Sequence, residues 1–189
     1  QKQENALDKV LGGGRILMTL ISEILSVTRI ETGKVGAEMF QIQMGELLDQ
    51  LKSNYDIPLD KKLTFNWDYP SEPTIIKTDT DKLKHILQNL INNAVKFTDE
   101  GTITFTARYF PVTKVAEFKV ADTGIGIEQE MIPSIFQRFH QLDSSATRTY
   151  GGVGLGLYIV KKYIEMLGGE IQVNSELGKG SIFAGTIPC

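Results

Sequence analysis

Two asparagines and a lysine fall at helical spacing in Asn89-Leu-Ile-Asn-Asn-Ala-Val-Lys96. Asn89 and Asn93 lie four residues apart, with His85 four earlier and Lys96 three later, so the four side chains share one helix face. Asparagine is a weak helix former, and two on one face ask for a reason. A solvated polar face is one answer. The other is a neutral amide oxygen that ligates Mg²⁺ while triphosphate oxygens and waters complete the octahedron. Leu83, Leu87, Leu90, Ile91 and Ala94 supply the buried stripe that holds this face outward.

Two glycine motifs follow. In Asp122-Thr-Gly-Ile-Gly126 an aspartate ends the apolar stretch Phe118-Lys-Val-Ala121. As a turn the motif is ordinary. As a site, the carboxylate accepts the exocyclic N–H of adenine while Gly124 and Gly126 let the backbone approach the base. In Gly151-Gly-Val-Gly-Leu-Gly156 the glycines open a helix predicted over 155–167. Backbone N–H groups at Gly152, Gly154 and Gly156, aligned with the helix dipole, cradle an anion without a cationic side chain. A dinucleotide-binding reading would place these glycines between the strand and helix of a βαβ unit, with an acidic residue about 20 positions on. Here the polar segment 141–150 precedes them, which fits a lid over a nucleotide better. Phe136 and Phe139 in Phe136-Gln-Arg-Phe139 are expected to anchor that lid. Arg148, and also Arg138, could pair with phosphate or remain solvated surface arginines.

The elements that position these residues read as follows. Residues 7–28 carry a seven-residue apolar pattern: Leu7, Gly14, Ile21 and Thr28 on one line, Val10/Leu11, Leu17/Met18 and Ile24/Leu25 on the other. Gly12, Gly13 and Gly14 weaken that helix by roughly 1 kcal/mol each relative to alanine, so its stripe needs a partner, and self-association is expected. Gly33 ends it. Strands are predicted at 63–68, 74–77, 102–109, 115–121, 170–174 and 181–187, and helices at 82–97, 129–136 and 155–167. Strands and helices mix without strict βαβ repetition. The expected class is therefore α/β, a two-layer α/β sandwich with one mixed sheet covered by helices on one face and an N-terminal helix.

Bulk properties narrow the function. Of 189 residues, 41% are apolar and 23% charged, ordinary for a soluble globular chain, and the net charge of −3 gives no electrostatic reason to expect nucleic acid. The single cysteine, Cys189, excludes a disulfide framework within one chain and fits a reducing compartment. No apolar run approaches the ~20 residues of a membrane helix. The chain starts at Gln1, so a longer parent is expected.

Together the motifs resemble, box by box, the catalytic and ATP-binding domain of bacterial sensor histidine kinases, in the superfamily shared with DNA gyrase B subunits and mismatch-repair ATPases. The resemblance implies a Bergerat-type ATP-binding fold at 35–189. Leu20-Ile-Ser-Glu-Ile-Leu-Ser-Val-Thr-Arg-Ile-Glu-Thr-Gly-Lys34 resembles the end of the second helix of a dimerisation and phosphotransfer domain, giving a partial domain at 1–34. It implies ATP and Mg²⁺ as cofactors, Asn93 as metal ligand, and Asn89 and Lys96 as catalytic residues at the phosphate end. Asp122, Gly124, Gly126, Arg148, Gly152, Gly154 and Gly156 would bind nucleotide. Val153 departs from the usual Thr or Ser.

Gyrase-like members carry a glutamate where this chain has Asn89, and an amide cannot serve as general base for water. A pocket that keeps its γ-phosphate is expected. Family members carry the phosphoacceptor as a His followed by an acidic residue. His85 and His140, the two histidines, lack an adjacent carboxylate, so the acceptor is expected on another segment. A response-regulator receiver domain is the implied downstream partner, and the cytoplasm the implied location, with membrane anchoring of the parent left open. Two rivals stay open: a degenerate module that binds nucleotide or regulator without catalysis, and an anti-sigma-type serine protein kinase, against which residues 7–34 argue.

Overall fold

Leu63, Phe65 and Trp67 alternate with Lys62, Thr64, Asn66 and Asp68, and only the first set turns inward; that alternation starts the main sheet. A computed structural model describes residues 2–53, 55, 61–140 and 153–189, with side chains from 13 onward except 15 and 16. In chain order the elements are α1 (Lys2–Glu31), β1 (Phe40–Gln43), α2 (Met44–Ser53), β2 (Lys62–Asp68), β3 (Ile75–Thr78), α3 (Thr80–Phe97), β4 (Glu100–Phe110), β5 (Val115–Asp122), α4 (Gly156–Met166), β6 (Glu170–Glu176) and β7 (Gly180–Pro188). Strands β2-β4-β5-β7-β6 form one five-stranded sheet in that order, parallel only between β2 and β4.

Ile103, Phe105 and Ala107 of β4, Ala116, Phe118 and Val120 of β5, and Phe183 and Ile187 of β7 fill its inner face. Against them pack Leu83, Ile86, Leu87, Leu90, Ile91 and Ala94 of α3, with Val160 and Ile164 of α4 and Leu47, Leu48 and Leu51 of α2. Trp67 stacks on Phe65 at 4.7 Å between ring centres and meets Phe105 at 5.1 Å. The two-layer α/β sandwich expected from the sequence is the fold.

Both ends of α3 are tied to distant chain. Asp79 caps its start: the carboxylate accepts from the amide of Lys82 at 3.0 Å, from the Lys82 ammonium at 2.6 Å and from the amide of Glu38 at 2.9 Å. At the far end the last-turn carbonyls have no helical donors of their own. Lys61 supplies one, its ammonium donating to the carbonyls of Val95 at 2.6 Å and of Lys96 and Thr98 at 3.0 Å each, and pairing with Asp99 at 3.1 Å. The carbonyl of Phe97, between them, accepts the amide of Ile125 at 3.1 Å.

One expectation needs correcting, and two features lie beyond what the sequence suggested. Residues 129–136 form no regular helix but a short 3₁₀ turn, Ile132–Ser134, because Pro133 lacks the N–H that continuation requires. β1 and β3 form a separate two-stranded antiparallel sheet, and α2 follows β1 directly; neither β1 nor α2 was anticipated. The end of α1 also packs on its own domain, through residues outside the predicted stripe. Val27 and Ile30, off the predicted stripe, are buried with Leu155 and Ile159 of the α4 region. The stripe itself stays exposed: Leu17 (58%), Met18 (69%), Ile21 (45%), Ile24 (50%) and Leu25 (52%). Leu7, Val10 and Leu11 have side chains outside the described set.

Replacing Lys61 by Ala should lower stability by about 2 kcal/mol, the usual scale for hydrogen bonds from a charged donor, read as a lower urea midpoint with an unchanged slope. Asp79 gives a pH signature. Burial works against its charge, but the Lys82 side chain and amide and the Glu38 amide together hold the carboxyl below the ordinary aspartate range. Its contribution is thus present above the unfolded-state pKa and lost as pH falls through the lower folded value. The Asp79→Ala variant should show a shallower loss of stability on acidification than the parent chain.

Candidate nucleotide-binding site

A cavity of about 180 Å³ opens where α3, the loop after β5, the start of α4 and β7 converge. From α3 come Asn89, Asn93, Lys96 and Phe97; from the end of β5 and the loop after it, Asp122, Ile125, Gly126 and Ile127; from the approach to α4 and its first residues, Val153, Gly154, Gly156 and Leu157. With Glu23 of α1, Ile135 and His140, and Ser181 and Phe183 of β7, residues far apart in sequence thus line one space, and Asn89, Asn93, Lys96 and Asp122 are among them.

Asp122 ends β5 opposite Ser181 of β7. Its Oδ1 accepts the amide of Gly124 at 2.9 Å. Burial pushes its carboxyl pKa up, while the Gly124 and Ser181 amides favour the charged form. Ile125, Ile127, Phe97 and Phe183 give this region an apolar lining. A carboxylate acceptor among apolar walls suits a flat heterocycle with one amino group. The loop is shaped by glycine need: Gly126 has φ +69°, and a Cβ there would lie 2.0 Å from the Glu176 carbonyl oxygen, so no side chain fits.

The second polar group gathers around Asn89. Its Nδ2 donates to the His85 carbonyl at 3.1 Å, which turns Oδ1 toward Gly156; a Cβ on Gly156 would approach that oxygen to 2.7 Å. Gly156 begins α4, and no side chain among the described residues caps it, leaving first-turn N–H groups for an anion. Lys96 adds the cation. Burial lowers its pKa, partly offset by the nearby Glu23 carboxylate, and its ammonium lies 4.7 Å from the centre of the Phe97 ring.

Asn89, Asn93, Lys96, Asp122, Gly126, Gly154 and Gly156 all line the cavity, and Gly124 supports it from behind through Asp122. Arg148, Gly152 and the polar segment 141–150 lie outside the described residues. His85 does not reach the cavity: it packs edge-on against Tyr163 of α4 at 5.3 Å, and burial lowers its pKa. His140 does line the cavity. Arg138 instead pairs with Glu31 of α1 and lies 5.7 Å from the Tyr158 ring. Phe136 packs against the core, but Phe139 is 64% exposed, correcting its expected anchoring role; what ties this segment is the Phe139 amide, donated to the Gly154 carbonyl at 3.1 Å. Sequence reasoning missed Glu23, Ser181 and Lys61. Ser181 precedes an alternating strand and follows Gly178-Lys-Gly180, and that was its only signal.

Residues 78–189 match the family model for histidine kinase-, DNA gyrase B- and HSP90-like ATPases. The chain belongs to this ATPase family. Its relatives include the autoinducer 2 sensor kinase/phosphatase LuxQ of Vibrio vulnificus, 38% identical over 96% of this chain and 22% of LuxQ. Hybrid signal transduction histidine kinase B of Dictyostelium discoideum is 35% identical over 99% of this chain and 10% of its own length. The circadian input-output histidine kinase CikA of Synechococcus elongatus is 35% identical over all of this chain and 25% of CikA. The chain therefore spans a quarter or less of these three relatives. Among solved structures, full-length ShkA in complex with AMPPNP superposes with a TM-score of 0.83 at 29% identity, over all of this chain and 39% of ShkA. The nucleotide-free catalytic domain of the histidine kinase ThkA gives 0.67 at 25% identity, over 80% of this chain and 95% of that one.

The placement of Asp122 in the cavity of an ATPase-family chain makes the expected base-reading role testable. Asp122→Ala should weaken ADP binding roughly ten- to hundred-fold, the consequence of an unpaired buried amino group, measured by calorimetry. Because burial lifts the Asp122 pKa, affinity in the parent chain should begin to fall on acidification above the range of an exposed aspartate, and the Asn variant should lack that dependence.

Proposed function

We propose that this chain is the ATP-binding catalytic part of a sensor histidine kinase, residues 35–189, preceded at 1–34 by part of the dimerisation and phosphotransfer domain. It passes the γ-phosphoryl of Mg-ATP to a histidine on another segment, and a response-regulator aspartate receives it. The observation that carries this reading is the convergence of Asp122, Lys96, Asn89 and Asn93 with the glycine-led start of α4 on one cavity, in a chain whose relatives are named as histidine kinases.

In this reading Asp122 orients the base, the α4 N–H groups and Lys96 hold the phosphates, and Asn93 offers an amide oxygen to Mg²⁺. Among the described residues no cluster of three His, Cys, Asp or Glu side chains is placed to hold a metal, so an amide with phosphate oxygens is the donor set that fits. Bound Mg²⁺ supplies charge neutralisation for phosphoryl transfer. Asn89 accepts no proton from water, so the terminal phosphate waits for its acceptor. The exposed residues Leu17, Ile21 and Ile24 pair α1 with a second copy. The cytoplasm is the location this reading implies for the chain, with a membrane anchor elsewhere in the parent left open.

Incubation with γ-labelled ATP and alkaline work-up tests the reading. The chain alone should bind Mg-ATP, hydrolyse it slowly and acquire no stable phosphohistidine, while a separate polypeptide carrying the parent's acceptor helix should become labelled. Stoichiometric label on His85 or His140 would overturn it. For self-association, sedimentation should show a concentration-dependent dimer that Ile21→Asp abolishes; a monomer at every concentration rules pairing through α1 out.

A further inference from the structure

One wall of the cavity comes from α1. Glu23 lines it beside Lys96, and a Cβ built on Gly156 would lie 3.9 Å from Glu23 Oε1. The carboxylate therefore stands at the start of α4, against the same ammonium and first-turn amides that the preceding reading gives to the phosphates. Its position is imposed by packing. Glu23, Val27 and Ile30 recur at i, i+4 and i+7, so they share one face of α1. Val27 and Ile30 bury that face against Leu155 and Ile159, and the Glu31–Arg138 ion pair fastens the next turn. Burial raises the Glu23 pKa against the opposing pull of Lys96, the behaviour of a partly desolvated acid held near a cation.

An anion already at that point repels a second one. We propose that Glu23 is a specificity-determining residue that sets the preference between nucleoside triphosphate and diphosphate. With α1 docked, its charge opposes the terminal phosphate of ATP, whereas ADP, which lacks that group, is compatible with docking. This rests on the nucleotide-binding reading above. Coupling between sites is reciprocal, so ATP must loosen α1 from α4 as much as docked α1 weakens ATP.

The test uses the full 189-residue chain and its Glu23→Gln variant, which keeps shape and removes charge. Calorimetry gives ATP and ADP affinities, each with Mg²⁺ and with chelator. The ATP-to-ADP affinity ratio should rise about tenfold in the variant under both conditions, the scale of removing one like charge a few ångströms away at intermediate dielectric. Amide hydrogen exchange around Val27 and Ile30 should be faster with ATP than with ADP in the parent chain, and equal with the two nucleotides in the variant. An unchanged ratio overturns the inference. So does a ratio that falls only with Mg²⁺, which would make Glu23 a metal ligand. If neither protein binds ADP, the nucleotide reading itself fails, and this inference with it.

Discussion

The amide of Ile125 donates to the carbonyl of Phe97 at 3.1 Å, and this bond joins the two halves of the cavity. A helix end leaves its last carbonyls without partners, and burying them unpaired is costly. In α3 that need is met by two groups from elsewhere in the chain: the Ile125 amide, from the loop that carries Asp122, and the Lys61 ammonium, from the segment entering β2. Because the same bond completes the helix and seats the loop, Lys96 and Asp122 are placed in a common frame. Gly124 makes the approach possible, since a Cβ there would come within 2.2 Å of the Phe97 carbonyl oxygen. The glycine is thus required by close contact with α3 before any ligand is considered.

A similar economy holds across the cavity. The Phe139 amide donates to the Gly154 carbonyl, so the chain leaving the 3₁₀ turn is bonded to the chain entering α4, across the stretch 141–152. Both margins of that stretch are therefore fixed side by side at the cavity rim, where His140, Val153 and Gly154 lie. Backbone pairing does what an aromatic anchor was expected to do, which leaves the Phe139 side chain free to stand in solvent.

The parts of this arrangement legible in sequence are those governed by local rules. The Asp79 cap, the stripe of α3 and the polar face opposite it are periodic, and the glycine motifs carry their chemistry in adjacent residues. Pro133 was equally legible, and its missing donor outweighs the apolar pattern around it. In α2, Met44, Leu47, Leu48 and Leu51 recur at i, i+3, i+4 and i+7, a helix signal masked by the polar residues between them. Lys61 and Glu23 are different. Each acts on residues tens of positions away, through pairing of β2 with β4 or docking of α1 on α4, and no local spacing marks either as part of the site. Long-range placement of a single charged side chain is set by tertiary packing alone.

Val153 shows how those two levels meet. In sequence it is a departure, an aliphatic residue where a hydroxyl is usual, and in isolation it subtracts one polar contact from the glycine loop. In the fold it lines the cavity and is half-buried at the margin of the cluster formed by Val27, Ile30, Leu155 and Ile159. A threonine there would put a hydroxyl at the edge of an apolar cluster, where the aliphatic side chain adds to the packing. The aliphatic side chain instead makes the cavity wall continuous with the α1 contact. Under the inference drawn above, undocking α1 would also alter the lining of the cavity, because Glu23 of α1 and Val153 beside the α1 contact both belong to that lining.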